Sequence, residues 1–459
     1  MLSVSGARGL VGKSMTEEVA RRFALAFVTH LRESLGPADG RAIVIGRDGR
    51  GSGGVLAAAA TEGMCDAGFD VIDVGVVATP TVGLMIHELG AVGGVMITAS
   101  HNPIEWNGLK TLNADGLALP ADQAARVIAR FRSGTTVAAQ TRGSRREVAD
   151  ADETHVARVL ANVDRDAIRR RRFAVALDSV NGGGARSGRL LLDALGCRVV
   201  HLNSERTGSF SHTPEPVEEN LTQLATAVRD AGNLTVGFAQ DPDADRLAIV
   251  DERGRFIGEE YTLVLAGLRL LQRSRGGVLA TNLSTSRMID EIAARFPGSR
   301  IERTAVGEAN VVAGIRATNA IAGGEGNGGL IWPRVCWVRD SLSAMALVLE
   351  LLAADGSPIS EIAQGIPAFS MVKRKLELAA VGGHAAVAPA LAKVREHFAR
   401  QPGARLDACD GIRIDLDRGW VHLRASNTEP IIRVIAEATT PDGAIALCDE
   451  CEREAFRPS

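Results

Sequence analysis

Three carboxylates stand close together in the chain, at Asp241, Asp243 and Asp245. Three negative charges this close repel one another unless a cation lies among them. A ligand set made only of oxygen favours a hard cation, Mg²⁺ before Ca²⁺, and excludes a soft-metal site. An EF-hand is one alternative, because Glu252 falls at loop position 12, but Arg246 occupies position 6, where that loop requires glycine. A solvated acidic turn is the other alternative.

A second candidate is Ser100, which follows an apolar run and precedes His101, Asn102 and Pro103. Pro103 biases Asn102 away from helix and so places the serine in a loop. A Ser–His hydrolase is one reading of this loop, although no G-x-S-x-G surrounds Ser100 and adjacent residues do not readily form the required hydrogen bond. A phosphoserine fits better, because its phosphate oxygen would be a fourth anionic ligand of the aspartate site. An ordinary turn remains open.

Glu325 and Asn327 lie in a third unusual segment, a loop with five glycines. Glycine lets the backbone approach a ligand closely. A carboxylate with an amide can grip neighbouring sugar hydroxyls through paired donors and acceptors. A phosphate nest is less suitable, because Glu325 would repel phosphate, and a flexible turn remains an alternative.

The fourth segment, residues 424–430 with Arg433 beyond it, combines guanidinium groups, hydroxyls and turn N–H groups. Such a set suits a phosphate dianion. The plain alternative is an ordinary hairpin turn. The candidate phosphate ligands in this segment are Arg424, Ser426, Asn427, Thr428 and Arg433.

The composition excludes several classes of protein. Lys+Arg 52 against Asp+Glu 55 gives a net charge of −3 over 459 residues, without the basic excess typical of nucleic-acid binding. The 46% of hydrophobic residues exclude a disordered chain. No long apolar segment and no leader are evident, so we expect no membrane partner. Six cysteines are too few for a disulfide scaffold and indicate a reducing cytoplasm; Cys448 and Cys451 are expected to be free thiols on one helix face.

The candidate segments follow a threefold rhythm of β-strands and helices. Nearly continuous apolar runs predict strands buried on both faces, in the order βαβαβ, although chance similarity between ordinary α/β units is an alternative. The third strand of each repeat leads into the Ser100, Asp241 or Glu325 segment, and ligands gather beyond the carboxyl ends of such strands. The predicted strands are 41–48, 69–74 and 92–98; 173–178, 197–202 and 234–239; and 277–282, 299–303 and 320–323.

The last part of the chain differs from the repeats. Residues 411–417 and 420–424 alternate apolar and polar side chains, and 431–435 continue the pattern, which predicts an antiparallel sheet covered by a helix over 442–456. The fold class is therefore α/β: three related βαβαβ-type domains with mixed, mostly parallel sheets, plus a C-terminal α+β domain, around a central cleft. Polar stretches at 135–146 and 370–375 support the outer boundaries. The predicted domains are 1–150, 151–253, 254–367 and 368–459.

In this order and at this length, the four segments resemble the α-D-phosphohexomutase superfamily, which includes phosphoglucomutases, phosphomannomutases and phosphoglucosamine mutases. Thr98–Pro103 resembles its phosphoserine loop, Asp241–Arg246 its metal loop, Gly324–Gly329 its sugar loop and Arg424–Pro430 its phosphate loop. The resemblance covers essentially the whole chain. Further matches are Ser5–Gly9, Asn107–Lys110 and Val306–Glu308.

The resemblance implies an enzyme that moves a phosphoryl group between O1 and O6 of a hexose phosphate. It implies one Mg²⁺ per chain, a hexose bisphosphate as activator, a sugar phosphate as ligand, and a monomer or homodimer. Ser100 would carry the phosphate and, with Asp241, Asp243 and Asp245, hold the metal. The implied roles of other residues are charge and proton transfer for Arg8, Lys110 and His101, orientation of substrate for Arg246, sugar binding for Glu325 and Asn327, and phosphate binding for Arg424, Ser426, Asn427, Thr428 and Arg433.

Departures from commoner family patterns put the sugar preference in doubt. Pro242 and Asn427 stand where many members have glycine, Asn327 where many have serine, and Gly329 where many have histidine. The glycine-rich loop most resembles phosphoglucosamine mutases of an archaeal type. Glucosamine 6-phosphate is therefore the first expected substrate, with glucose and mannose phosphates as alternatives. A non-catalytic sugar-phosphate-binding protein on the same fold is the alternative from another class.

Overall fold

A computed structural model describes residues 2–36, 40–136, 139–426 and 429–457. Within these residues the strands form one seven-stranded, two four-stranded and one five-stranded sheet. No helix of the described residues is long and apolar enough to cross a membrane.

The first sheet is mixed and has the order β1-β2-β6-β5-β3-β4-β7. Its central strands pair in parallel, whereas β5 and β6 form an antiparallel pair, as do β6 and β2. The elements are β1 Leu2–Ser3, β2 Gly6–Leu10, α1 Glu17–Leu35, β3 Ala42–Arg47, α2 Gly53–Asp66, β4 Asp70–Val76, α3 Thr79–Glu88, β5 Gly93–Ile97, β6 Trp106–Asn113, α4 Ala121–Ser133 and β7 Arg145–Glu147.

The second sheet has the order β11-β10-β8-β9, in which β8 pairs in parallel with both β9 and β10, and β11 is antiparallel to β10. Two helices precede the sheet and pack against a long helix of the third unit. The elements are α5 Ala151–Leu160, α6 Arg165–Arg171, β8 Ala174–Asp178, α7 Ala185–Ala194, β9 Arg198–Leu202, α8 Thr222–Ala231, β10 Val236–Gln240 and β11 Leu247–Val250.

The third sheet has the order β13-β12-β14-β15 and the same pattern of parallel and antiparallel pairs. Its long helices α9 and α12 pack against each other. The elements are α9 Tyr261–Ser274, β12 Val278–Asn282, α10 Met288–Ala293, β13 Arg300–Thr304, α11 Glu308–Thr318, β14 Ala322–Glu325, β15 Gly329–Ile331, α12 Ser341–Asp355 and α13 Ile359–Gln364.

The threefold repeat predicted from the sequence is confirmed, with one addition. Each repeat places its first strand between the second and the third, and parallel neighbours of this kind require crossover helices. A fourth strand that the sequence analysis did not identify then returns antiparallel to the third, as β6, β11 and β15 do. The Ser100, Asp241 and Glu325 loops therefore each connect the two strands of one such hairpin. Each lies at the carboxyl end of the third strand of its repeat.

The fourth sheet is antiparallel, in the order β16-β20-β19-β18-β17. The predicted strands and covering helix are present, and β16 and β17 are further edge strands. Residues 370–375, interpreted from sequence as a polar boundary stretch, form most of β16; their charges are typical of an edge strand. The elements are β16 Ser370–Glu377, α14 Val387–Ala399, β17 Arg405–Asp407, β18 Ile412–Leu416, β19 Gly419–Ala425, β20 Ile431–Ala438 and α15 Pro441–Phe456.

One apolar core joins the first three units, whereas the fourth has its own. At the centre lies α12, whose residues 341–352 are all buried. A helix that is apolar on every side belongs in an interior. It packs on α5, α6 and α9, and so fixes the second and third sheets relative to each other. The thiols of Cys448 and Cys451 are free and buried where α15 covers the fourth sheet.

Candidate active site

The connection between β10 and β11 carries the three aspartates, and all three side chains are buried. Their carboxylate oxygens lie within 4.8 Å of one another. One oxygen of Asp243 and one of Asp245 have no hydrogen-bond partner. A buried carboxylate oxygen without a partner is costly, and a hard cation would satisfy both at once. The donor set therefore fits a divalent metal ion.

The pKa values of the aspartates respond to the same crowding. Burial, followed by the charges of Asp243 and Asp245, raises the pKa of Asp241 well above its usual value. Burial also pushes the pKa of Asp245 upward, but the nearby Arg339 and Lys110 more than offset this, so that the pKa is lowered. Around Asp241 the negative charge of the loop thus exceeds the positive charge of the neighbouring arginine and lysine side chains. A metal ion bound there would neutralise the excess.

Ser100 faces this loop from the first sheet. Its backbone lies in the left-handed region, with φ 52°, and its hydroxyl donates to Oδ2 of Asp241 at 3.0 Å. Contrary to the sequence expectation, adjacent His101 also reaches the hydroxyl, with Nδ1 at 3.3 Å. Among the described residues no orienting hydrogen bond completes a Ser–His–acid triad, since Glu215 lies 4.0 Å from the other ring nitrogen of His101. The geometry favours a metal-linked serine over a hydrolase.

Burial lowers the pKa of His101 to about 2, assisted by the positive charges of Arg246 and Arg8. The imidazole is therefore neutral at physiological pH and, in this environment, only a weak base. Lys110 behaves oppositely: burial lowers its pKa, but Asp243 and Asp245 outweigh this and the pKa is raised. Lys110 is therefore a permanent ammonium, suited to stabilising charge rather than to removing protons.

Lys110 and Thr79 connect the first unit to the metal loop of the second. The ammonium of Lys110, on β6, donates to Asp243 at 2.5 Å and to Asp245 at 3.2 Å. The hydroxyl of Thr79, at the start of α3, donates to Asp243 at 2.6 Å. The sequence analysis identified Lys110 but not Thr79, which has no motif around it. These contacts orient the carboxylates before any ligand arrives.

Arg339 is a highly connected group that sequence reasoning missed. Its guanidinium donates to Asp245 at 2.6 Å, to Glu325 at 3.0 Å and to Glu308 at 2.9 Å. It thereby joins the metal loop to the glycine-rich loop. Its position before Asp340, which caps α12, gave no local signal of this role. Glu308 was noted only within the family match Val306–Glu308.

Glu325 ends β14 and is held from several sides. Its carboxylate accepts from the side-chain amide of Asn282 at 2.9 Å and from the backbone N–H of Gly307 at 3.2 Å. The nearby amide oxygen of Asn327 is buried without a partner. Gly328 has φ +88°, and a Cβ there would lie 2.5 Å from the carbonyl oxygen of Leu247 on β11. Glycine is thus needed where this loop docks on the metal-loop hairpin.

The fourth sheet contributes arginines paired with acids. Arg424 donates to Asp410 at 2.9 Å, and Arg433 donates to Glu429 at 2.5 Å. The second pair is about one-third exposed, so its attraction is weak and can be exchanged for a ligand. Ser426 lines the same cavity as these arginines. The remaining two predicted residues, Asn427 and Thr428, lie outside the described residues.

A cavity of about 420 Å³ brings the four units together. Ser100, His101, Asp241 and Asp243 do not line it, but adjoin it through Lys110 and Asp245, which do. A basic surround with a few carboxylates suits a small polar anion rather than an apolar ligand. The predicted residues that line the cavity are Arg8, Lys110, Asp245, Arg246, Glu325, Asn327, Arg424, Ser426 and Arg433; Thr79, Glu308 and Arg339 also line it.

Four family models match the chain in order, and together they cover most of it. They are the phosphoglucomutase/phosphomannomutase alpha/beta/alpha domains I, II and III, at residues 2–138, 153–254 and 258–369, and the C-terminal domain at 371–455. The chain therefore belongs to the phosphoglucomutase/phosphomannomutase family. We refer to the matched ranges as domains I to IV.

Similar proteins extend over nearly the full length. A phosphoglucomutase/phosphomannomutase of Thermococcus kodakarensis is 38% identical over 96% of this chain and 94% of its own. A protein of Methanopyrus kandleri named probable phosphoglucosamine mutase is 38% identical over 97% of this chain and 95% of its own. A crystal structure of a phosphoglucomutase/phosphomannomutase family protein from Burkholderia thailandensis has a TM-score of 0.86 at 27% identity, covering 100% of this chain and 99% of that one.

Proposed function

We propose that this protein is a phosphohexomutase that interconverts hexose 6-phosphate and hexose 1-phosphate, with glucosamine 6-phosphate as its first substrate. The observation that carries the proposal is the contact between the Ser100 hydroxyl and Asp241, at the edge of a cavity lined by all four domains. A nucleophile, a metal-binding triad and a distal basic site are the three components such a reaction needs.

In the proposed reaction, phosphorylated Ser100 donates its phosphoryl group to the free sugar hydroxyl. The bond between phosphorus and Oγ breaks as the bond to the sugar oxygen forms, and the hydroxyl proton passes to a base in the cleft. The bisphosphorylated sugar then reorients and returns its other phosphate to Ser100. Asp241, Asp243, Asp245 and a phosphate oxygen on Ser100 would hold Mg²⁺, which supplies positive charge to the transferring group.

The remaining groups divide between proton transfer and charge. His101 is assigned the role of proton acceptor on geometry, because its Nδ1 lies 3.3 Å from the serine hydroxyl. Its low pKa makes it a weak base, and a phosphate dianion on Ser100 would raise that pKa. Lys110 and Arg8 are assigned to stabilise negative charge on the phosphoryl group. Arg246 is assigned to orient the substrate beside the metal loop, where its backbone N–H already donates to Asp241 at 3.2 Å.

At the distal end, the proposed sugar ligands are Glu325 and Asn327. The unpartnered amide oxygen of Asn327 supports this, since a sugar hydroxyl would satisfy it. The non-reacting phosphate is assigned to the arginines and hydroxyls of domain IV. Because O1 and O6 must each occupy the reacting position in turn, this end has to accept either phosphate. The proposed phosphate ligands are Arg424, Ser426, Asn427, Thr428 and Arg433.

The preference for glucosamine rests on the charge of the sugar end. Glu308 and Glu325 share the single guanidinium of Arg339, which also serves Asp245. Burial raises the pKa of Glu308, so an additional cation there would be favourable. The ammonium group of glucosamine is such a cation, whereas glucose and mannose phosphates offer only hydroxyls. The Thermococcus relative's name favours phosphomannomutase or phosphoglucomutase activity as the second candidate.

Two measurements test the proposal. Protein supplied with Mg²⁺, a hexose bisphosphate and glucosamine 6-phosphate should form the 1-phosphate, and kcat/KM should exceed that for glucose 6-phosphate and mannose 6-phosphate. Equal or reversed ratios would overturn the glucosamine preference alone. Incubation with the bisphosphate should add about 80 Da, one phosphoryl group, at Ser100. A protein that binds sugar phosphates without gaining this mass would instead be a non-catalytic binder.

A further inference from the structure

Arg50 lies in the loop between β3 and α2, away from every motif used so far, and its side chain is fully buried. An arginine has five N–H donors, and here all five are engaged. One is given to Oδ2 of Asp48 at 3.0 Å. The other four are given to backbone carbonyls of the segment that carries the serine: Ser100 at 2.6 Å, Asn102 at 2.7 Å, Pro103 at 2.7 Å and Trp106 at 3.0 Å.

Asp48 provides a second connection to the serine. The oxygen that accepts from Arg50 also accepts from the Thr98 hydroxyl at 2.6 Å. Thr98 in turn accepts from the backbone N–H of Ser100 at 2.8 Å. The serine's own N–H and C=O are therefore both fixed by one buried ion pair. This matters because the serine has φ 52°, a conformation that non-glycine residues hold only when their surroundings impose it.

Domain II covers the arginine from the other side. The ring of Phe210 lies 4.8 Å from the guanidinium carbon of Arg50. Gly208 packs so closely that a Cβ there would lie 2.4 Å from Cα of Arg50. The domain that carries the aspartates thus also covers the residue that fixes the serine loop. No donor of Arg50 remains for a ligand, so it cannot act on substrate directly.

We infer that Arg50 is a positioning residue, which holds the Ser100 loop in the geometry that directs its oxygen at the aspartate site. The inference rests on the proposed function, because it concerns the transfer of phosphate to and from Ser100. A ground-state binding role would alter KM, whereas a positioning role alters the chemical step.

The chain offers a matched control in Arg413 of β18. It is also fully buried, pairs with an aspartate two residues away, Asp415, and lies 4.1 Å from the ring of Trp420. It donates to the backbone carbonyl of Leu283 at 2.5 Å, but makes no contact with the serine loop. Replacing Arg413 therefore removes an equivalent buried arginine without removing the support of Ser100.

The experiment compares Arg50→Lys and Arg50→Ala with Arg413→Lys and Arg413→Ala. Lysine keeps the charge but has three donors instead of five in a fork. We expect Arg50→Lys to lower two quantities about 100-fold: the rate at which glucose 1,6-bisphosphate phosphorylates Ser100, and kcat. KM should change little. Guanidinium ion should restore part of both rates in Arg50→Ala. It should restore nothing in Arg413→Ala, where any loss reflects stability.

Thr98→Val keeps the side-chain shape and removes the hydroxyl that links Asp48 to the serine N–H, while Arg50 keeps all its contacts. This variant decides the question if the Arg50 variants fail to fold, and we expect a smaller fall in the same two rates. The inference is overturned if the parent accepts phosphate at Ser100 and the Arg50→Lys or Thr98→Val variant does so at the same rate. It is also overturned if activity lost in Arg50→Ala tracks the fall in melting temperature and guanidinium restores none of it. A parent that never accepts phosphate at Ser100 overturns the proposed function itself.

Discussion

The two ends of the cleft are built differently. At the end formed by domains I and II, the buried Ser100 contacts the buried aspartates, and Lys110, whose side chain is 12% exposed, contacts two of them. At the end formed by domain IV, Arg433 is 34% exposed and its partner Glu429 is 38% exposed. The first end has fixed its charges before a ligand arrives. The second holds Arg424 in a largely buried pair with Asp410 and Arg433 in an exposed pair that a ligand can replace.

This difference follows from what each end is proposed to do. Charge that stabilises a transferring phosphoryl group is most effective when it is already oriented and shielded from water. The distal end must bind a phosphate on either O1 or O6, so a rigid, dry site would favour one orientation over the other. Exposed ion pairs are individually weak, which allows them to be exchanged.

The largest expected effect is at the serine. We expect Ser100→Ala to lower kcat about 10⁴-fold or more, because no other group can carry the phosphoryl intermediate. The exposed Ser209→Ala serves as the control and should match the parent. Coupled assays of 1-phosphate formation measure both. Full activity in Ser100→Ala would remove the basis for distinguishing the two ends.

A smaller but still large effect is expected at the metal loop. Asp243→Asn keeps the side-chain size, removes one charge and leaves Lys110 with one fewer anion. We expect Mg²⁺ affinity to fall at least about tenfold, together with kcat at saturating metal. Calorimetric titration with Mg²⁺ measures the first quantity, with the exposed Asp230→Asn as control. An unchanged titration would contradict the assignment of this loop as the metal site.

The exposed end should respond in binding rather than in chemistry. We expect Arg433→Ala to raise KM about tenfold with a much smaller change in kcat, since a charge-assisted contact to phosphate is lost. Arg400→Ala is matched to it, because Arg400 also forms an exposed pair with an acid four residues away, Glu396. A fall in kcat comparable to that of Asp243→Asn would show that the two ends do not differ.

The smallest effect on activity is expected at Glu260, which lies under the glycine-rich loop. Burial raises the pKa of Glu260 to about 8, from an ordinary value of 4.5. Between these pH values the folded state keeps a proton that the unfolded state has released, so its contribution to stability falls as pH rises, by up to about 1.4 kcal/mol per pH unit.

Glu260→Gln removes this titration, because glutamine is uncharged at every pH. We therefore expect its free energy of unfolding to exceed that of the parent increasingly between about pH 4.5 and pH 8, and the difference to level off above. Denaturant unfolding across this range measures it, with the exposed Glu396→Gln as control. If the free energies of unfolding of parent and variant changed in parallel with pH, the pKa of the buried carboxyl would not be raised.

The sequence was informative wherever chemistry required an unusual local pattern. The alternating aspartates, the serine before His-Asn-Pro and the glycine-rich loop each differ from ordinary turns, and the apolar runs predicted the first three strands of every repeat. Strands β6, β11 and β15 were missed because each follows directly after a candidate loop and is short or mixed in polarity. The polar edge strand β16 was interpreted as a boundary, since alternate side chains of its second half are exposed and it has no continuous apolar run.

Residues without a pattern of their own were found only from the structure. Arg339, Thr79 and Arg50 stand in segments of no distinctive composition, and their importance comes from partners distant in the chain. The sequence by itself determined the fold class and the family resemblance, and it predicted the serine and the aspartates as site residues, because these depend on local spacing. Only the tertiary structure decided which cations accompany each carboxylate and how the serine is held, because those contacts join residues that folding alone brings together.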